Sequence, residues 1–240
     1  MSPPTGARLL LFSNSTNWGE PYLAHARPQL LRFLGGPARL LFVPYAAVRS
    51  SYDAYAEAVQ QALGEDGHTV VPLHRAPDPV DAIGDTEPSA IVIGGGNSFR
   101  LLQMLQQHAL LAPIRARVRA GVPYVGWSAG SNVACPTIRT TNDMPIVLPE
   151  SFDALGLVRF QINPHYTDAR LPRHRGESRA ERLQEFCALS AEVPVIALRE
   201  GSALEVQGSA VTLLGSRRAR LFHGSGPPRE LTPGRLALEA

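Results

Sequence analysis

The sequence contains no lysine: all 23 of its basic residues are arginine. This excludes a Schiff-base lysine and a phosphate-loop lysine. Cysteine is nearly absent as well. Cys135 and Cys187 are the only two, too few for a disulfide framework or a four-cysteine zinc site. Long hydrophobic runs are missing. The apolar run at residues 9–12 is far too short to span a bilayer, and no signal-peptide hydrophobic region precedes it. An excess of one charge is missing too: 23 basic against 21 acidic residues leave a net +2, which gives no electrostatic footprint for nucleic acid or a membrane surface. The expectation is a cytoplasmic protein without nucleic-acid or membrane partners.

What is present is ordinary for a globular chain. Hydrophobic residues make up 44% of the 240 residues and charged residues 18%. That length fits one domain, and no interdomain linker or repeat interrupts it. Short apolar runs at 8–12, 40–43, 69–73, 90–93 and 124–127 read as strands. Helical spacing occupies 22–34, 52–63, 99–107 and 110–120, with Ser98 as an N-cap and His108 near a helix C-terminus. Strands alternating with helices imply crossover units and a mostly parallel sheet covered on both faces. The last third differs. A helix over 177–189 is followed by short alternating segments at 195–198, 204–206, 211–214 and 219–222, which read as antiparallel strands finishing one side of the sheet. The Pro- and Gly-rich stretch 224–233 reads as a surface tail, and His68, after Gly67, as a solvated cap.

The sharpest chemical signal is Gly126-Trp127-Ser128-Ala129-Gly130, a G-x-S-x-G between an expected strand and an expected helix. That context suits a nucleophile elbow, with the helix N-terminus beneath the serine favouring developing negative charge. Gly94-Gly95-Gly96-Asn97 also ends a strand. Its unobstructed N–H groups at Gly95 and Gly96 can supply oxyanion donors alongside that of Ala129. Of seven histidines, His165 is best placed to act as base, in Gln161-Ile-Asn-Pro-His165-Tyr166, where Pro164 fixes the preceding backbone. The stretch 135–147 packs Arg139, Thr140, Thr141, Asn142 and Asp143 into a polar loop of the kind that usually carries function. Cys135 reads as a small buried residue. No metal-ligand motif is present, so no metal site is expected.

Taken together, residues 94–101 (GGGNSFRL), 126–147 (GWSAGSNVACPTIRTTNDMPIV) and 161–167 (QINPHYT) resemble the peptidase E family of cytoplasmic α-aspartyl dipeptidases, in the right order along most of the chain. The resemblance implies a flavodoxin-like three-layer α/β sandwich related to class I glutamine amidotransferases, mostly parallel with C-terminal antiparallel strands. It implies hydrolysis of dipeptides with an N-terminal aspartate, no cofactor and no metal, with Ser128 and His165 doing the chemistry. By motif match the acid falls on Glu200, with Asp143 also counted in the charge relay. Arg179 falls where the substrate aspartate is bound, and Asn97 is a further substrate-binding candidate. The chain resembles the relatives with longer C-termini. A monomer or homodimer is expected. Three rival readings remain: a cyanophycinase-like hydrolase of aspartyl polymers, an α/β-hydrolase esterase using His223, and an idle binding protein for a small acidic ligand.

Overall fold

The computed structural model describes residues 6–85, 89–169, 173 and 175–238. In chain order its elements are β1 (Arg8–Phe12), α1 (Arg27–Leu34), β2 (Arg39–Val43), α2 (Tyr52–Gly64), β3 (Thr69–Pro72), α3 (Pro79–Asp85), β4 (Ala90–Ile93), α4 (Ser98–Gln107), α5 (Leu111–Arg119), β5 (Tyr124–Trp127), α6 (Ala129–Val133), β6 (Gln161–Tyr166), α7 (Arg179–Leu189), β7 (Val195–Arg199), β8 (Ala203–Gln207), β9 (Ala210–Leu214), β10 (Ala219–Phe222), β11 (Arg229–Leu231) and β12 (Gly234–Leu236).

The strands form an eight-stranded sheet in the order β12-β9-β8-β1-β5-β4-β2-β3 and a four-stranded sheet in the order β11-β10-β7-β6. In the large sheet β1 to β5 run parallel, while β8, β9 and β12 extend it antiparallel. Strand periodicity divides the apolar side chains between its faces. Leu10 and Phe12 of β1 pack with Leu30 and Phe33 of α1 and Val59 of α2. Leu9 and Leu11 face α4, α5 and the inner side chains Ile162, Ile196 and Leu198 of the small sheet. Helix α7 covers the small sheet's outer face through Leu183 and Cys187.

Several expectations need correction. The final strands do not all finish one sheet: β7 and β10 belong to the small sheet, where β7 pairs in parallel with β6. The tail is not a simple wrap. Its β11 adds to the small sheet, and β12, which directly follows it, adds to the edge of the large one. Helix α1 starts at Arg27, with a proline in its first two positions, so 22–26 form turns instead. Helix α3 was not anticipated. Asn97, not Ser98, caps α4, accepting from the Arg100 N–H at 2.9 Å. The C-terminal helix begins at Arg179 behind a Ser178–Glu181 capping box. His68 is buried rather than solvated. It accepts the Ala38 N–H at 3.0 Å, and burial holds its pKa below the ordinary value, as an acceptor nitrogen requires. Cys135 is buried as expected, its thiol pushed up to about 12 by desolvation.

The end of β1 joins the two sheets. The buried Ser13 hydroxyl donates to Leu198 O at 2.8 Å and accepts the His165 N–H at 2.9 Å. Asn14 Oδ1 accepts the Gly201 N–H at 2.8 Å. On the other side of the small sheet, Arg199 of β7 and Arg220 of β10 share Asp168 (2.5 and 2.8 Å) and Glu230 of β11 (2.9 and 3.0 Å). Hydrogen bonding from Arg199 holds the Glu230 carboxyl below its usual pKa, so its stabilisation is present above the unfolded value near 4.3 and is lost as pH falls through the folded one. Glu230→Gln should therefore cost about 0.5–1 kcal/mol at pH 7. The deficit should shrink below about pH 4 in thermal melts run across the pH range. A deficit of constant size would assign the loss to packing.

Candidate active site

The nucleophile candidate stands where the large sheet's central strand turns into a helix. Ser128 follows β5 and precedes α6 with φ 54° and ψ −114°, a left-handed backbone that costs a non-glycine residue about 1–3 kcal/mol. Local contacts enforce it. The Ser128 N–H donates to Phe12 O at 3.1 Å, and its carbonyl accepts the N–H groups of Ser131 and Asn132. A side chain at Gly130 would fall on the Ile93 carbonyl oxygen, so only glycine lets α6 approach β4 this closely.

His165 and Glu200 arrive from the small sheet. His165 lies on β6, also left-handed at φ 52°, and Glu200 follows β7. His165 Nε2 is 2.9 Å from Ser128 Oγ, and Nδ1 is 2.7 Å from Glu200 Oε1. With the carboxylate accepting the Nδ1 proton, the other ring nitrogen is the acceptor for the serine hydroxyl. This is a nucleophile, base and orienting acid in one line, able to perform acyl transfer.

The glycine loop lies against it. A Cβ built on Gly95 would be 3.0 Å from Ser128 Cβ. A partly buried chain of hydrogen bonds from Trp127 Nε1 to Tyr55 Oη, and from Tyr55 to the Gly95 carbonyl, each 3.0 Å, fixes the loop's carbonyl side. The N–H groups of Gly95, Gly96 and Ala129 donate to no other described residue, which leaves them for a ligand atom.

Asp143 is placed differently from Glu200. Its Oδ2 accepts the Ser98 N–H at 2.7 Å and lies 3.1 Å from Thr141 Oγ1, and among the described residues it makes no bond to His165. It thus anchors its loop to the start of α4. Asn97 is committed at both ends: Oδ1 caps α4 and Nδ2 donates to Met144 O at 2.9 Å. The side chain is occupied in holding loops together rather than open to a ligand. Arg179 lies at the start of α7 and donates to the His165 carbonyl at 3.0 Å. Burial and the neighbouring Arg182 both depress its pKa, and no carboxylate among the described residues pairs with it. It lines a cavity of about 230 Å³ together with Asp143, Asn142, Asn163 and Arg139. Asn163 was not anticipated there. It is buried, with an Oδ1 that lacks a partner among the described residues. Its place in QINPH, two residues before His165, was the available signal. Among the described residues no cluster of three or more His, Cys, Asp or Glu is placed to hold a metal ion, and no helix is long and apolar enough to cross a membrane.

The geometry separates the two acids. Glu200→Gln should lower turnover about 10²- to 10⁴-fold on every substrate, an activated ester included. Asp143→Asn should spare the ester and N-acylated substrates. Loss of ester turnover in Asp143→Asn alone would reverse the assignment.

The same chain order and fold recur in known proteins. The chain is 49% identical to a peptidase E of Streptomyces coelicolor over 94% of its own length and 91% of that protein. It is 46% identical to a peptidase E of a Nostoc species over 94% and 93%. Among solved structures, a peptidase from an acI-B1 Actinobacterium superposes with a TM-score of 0.69 at 18% identity over 99% of both chains. A Listeria monocytogenes protein does so with a TM-score of 0.67 at 24% identity, covering 87% of this chain and 98% of that one. These two show the mixed α/β fold with its large, mostly parallel sheet and antiparallel strands. The model of Peptidase family S51 matches residues 9–214, and the chain belongs to that family of serine peptidases.

Proposed function

We propose that the protein is a serine dipeptidase that hydrolyses Asp-X dipeptides through an acyl-enzyme on Ser128. The observation that carries the substrate reading is Arg179, a half-buried guanidinium without a carboxylate partner among the described residues, seated beside His165. A desolvated cation of this kind favours an anionic ligand group, and the guanidinium fork matches a carboxylate. Asp143 and the unpartnered Asn163 Oδ1 share its cavity, and oxygens of that type suit an ammonium group. One cavity thereby offers partners for both charges of an N-terminal aspartate.

The steps follow from the residues. His165 takes the proton of Ser128 Oγ as that oxygen attacks the scissile carbonyl, while Glu200 stabilises the imidazolium. N–H groups of the Gly95–Gly96 loop and of Ala129 receive the oxyanion, each donor contributing about 10²–10³ in turnover. His165 then protonates the leaving amine, the C–N bond breaks, and water repeats the attack on the ester to release aspartate. A cytoplasmic site of action belongs to the same reading. It rests on the resemblance to the cytoplasmic dipeptidases, and both cysteines are free thiols. A polymer-cleaving relative would need to accommodate chain beyond the aspartyl unit, whereas the Arg179 cavity offers partners for the free end of a short peptide.

Purified protein assayed with chelator on Asp-X, Glu-X and Ala-X dipeptides and a p-nitrophenyl ester tests the reading. Asp-X should be hydrolysed best. Arg179→Met should lose about 2–5 kcal/mol of transition-state stabilisation on Asp-X and far less on Ala-X or the ester. An equal loss on all substrates would make Arg179 a structural residue, and strong inhibition by the chelator would contradict the serine mechanism.

A further inference from the structure

We propose that the open cavity on the other side of the glycine loop receives the leaving amino acid, that Arg49 binds its C-terminal carboxylate, and that the cavity walls favour an apolar side chain. This inference rests on the Asp-X reading and adds to it the identity of X and the recognition of the peptide's end.

The cavity has a volume of about 440 Å³, within the range of small-molecule sites, and Ala46, Val48, Arg49, Gly95, Gly96 and Ile146 are among its lining residues. Gly95 and Gly96 belong to two places at once. Gly95 lies against Ser128, where a side chain would meet Ser128 Cβ at 3.0 Å, and both glycines, whose N–H groups have no partner among the described residues, wall this cavity. A carbonyl group held at Ser128 has two substituents. The acyl residue finds its charge partners in the Arg179–Asp143 cavity. The leaving residue then extends along the glycine loop into the second cavity.

Its chemistry matches that role. Arg49 is the charged residue of the lining, and it makes no ion pair or side-chain hydrogen bond to another described residue. The acidic side chain closest to it in sequence, Asp53, is taken by His74 and Arg75 at 3.0 and 2.7 Å. Around the cation the walls are apolar. Val48 and Ile146 of the lining are 55% and 52% exposed. Large apolar side chains gathered at a site mouth mark a surface that binds something. An amino acid with an apolar side chain and a free carboxylate complements one cation in an apolar bowl.

The bowl is also fixed to the catalytic loop. The Asn97 N–H donates to Ala46 O at 2.9 Å, and Gly96, at φ 140°, presses so close that a side chain would fall on that carbonyl oxygen. The segment bearing Arg49 and the loop bearing the oxyanion donors therefore hold a set spacing. A longer peptide presents a neutral amide where a dipeptide presents its carboxylate, so Arg49 also counts length.

The test compares Asp-Leu, Asp-Leu-amide and Asp-Glu with wild-type protein, Arg49→Met and Arg49→Lys, with thermal melts as a check on folding. Wild type should favour Asp-Leu over its amide by about 10- to 100-fold in kcat/KM, the value of one charged hydrogen-bonded pair. It should also favour Asp-Leu over Asp-Glu. Arg49→Met should collapse the preference by slowing Asp-Leu to the level of the amide, and Arg49→Lys should restore part of it. Equal wild-type rates on acid and amide, or a loss in Arg49→Met that is the same on both, would overturn the role of Arg49 while leaving the dipeptidase intact. Failure of wild type to cleave any Asp-X substrate would instead end the parent reading and this inference with it.

Discussion

The backbone at the end of β1 and just beyond it, residues 12–14, is the joint on which the site depends. Phe12 O receives the Ser128 N–H and the Ser131 hydroxyl, at 3.1 and 2.7 Å. The next residue, Ser13, holds the His165 N–H and Leu198 O, and Asn14 holds the Gly201 N–H. Three consecutive residues thus touch the segments bearing Ser128, His165 and Glu200, two of which come from a different sheet. A buried hydroxyl that both accepts and donates leaves no slack in this register. Leaving its buried partners unpaired would cost about 1–3 kcal/mol.

That joint also explains how two strained residues persist. Ser128 and His165 both hold left-handed backbones, a conformation that survives only where surrounding structure over-determines it. At Ser128 the enforcement is the Phe12 contact below and the close approach of α6 to β4 through Gly130. At His165 it is the Ser13 hydroxyl on the backbone N–H and the Arg179 guanidinium on the carbonyl. Arg179 therefore sits next to the base: the side chain proposed to hold the substrate carboxylate also donates to the His165 carbonyl, while Ser13 holds the His165 N–H independently.

Much of this was legible in the sequence for local reasons. Buried parallel strands read as apolar runs, and β1, β2, β4 and β5 fell where those runs lie. G-x-S-x-G between a strand and a helix, and three glycines after β4, identify the two loops that meet at Ser128, because tight turns and close backbone approach need glycine. What was not legible is what depends on distant partners. Alternation in the last third shows strands but not which sheet each joins, so β7 and β10 were assigned to the wrong one. His68 sits after a glycine like a surface cap, and only the approach of Ala38 buries it. The motif match puts the acid on Glu200 but counts Asp143 with it, and the three-dimensional pairing separates the one facing His165 from the one anchoring α4. The Arg49 cavity joins the glycine loop to segments distant in sequence, at 46–50, Tyr55 and Ile146, and nothing in the sequence shows that they meet.

The central claim is that Ser128 becomes acylated by an N-terminal aspartyl group with His165 and Glu200 in support. Acid quench of a reaction with an activated aspartyl ester, followed by mass spectrometry of the peptide that contains Ser128, tests it directly. The account predicts an aspartyl adduct on Ser128 that accumulates before steady state and is absent from Ser128→Ala, which should retain the fold and lose hydrolysis. Steady turnover of the ester without any adduct on Ser128, or with turnover preserved in Ser128→Ala, would contradict it.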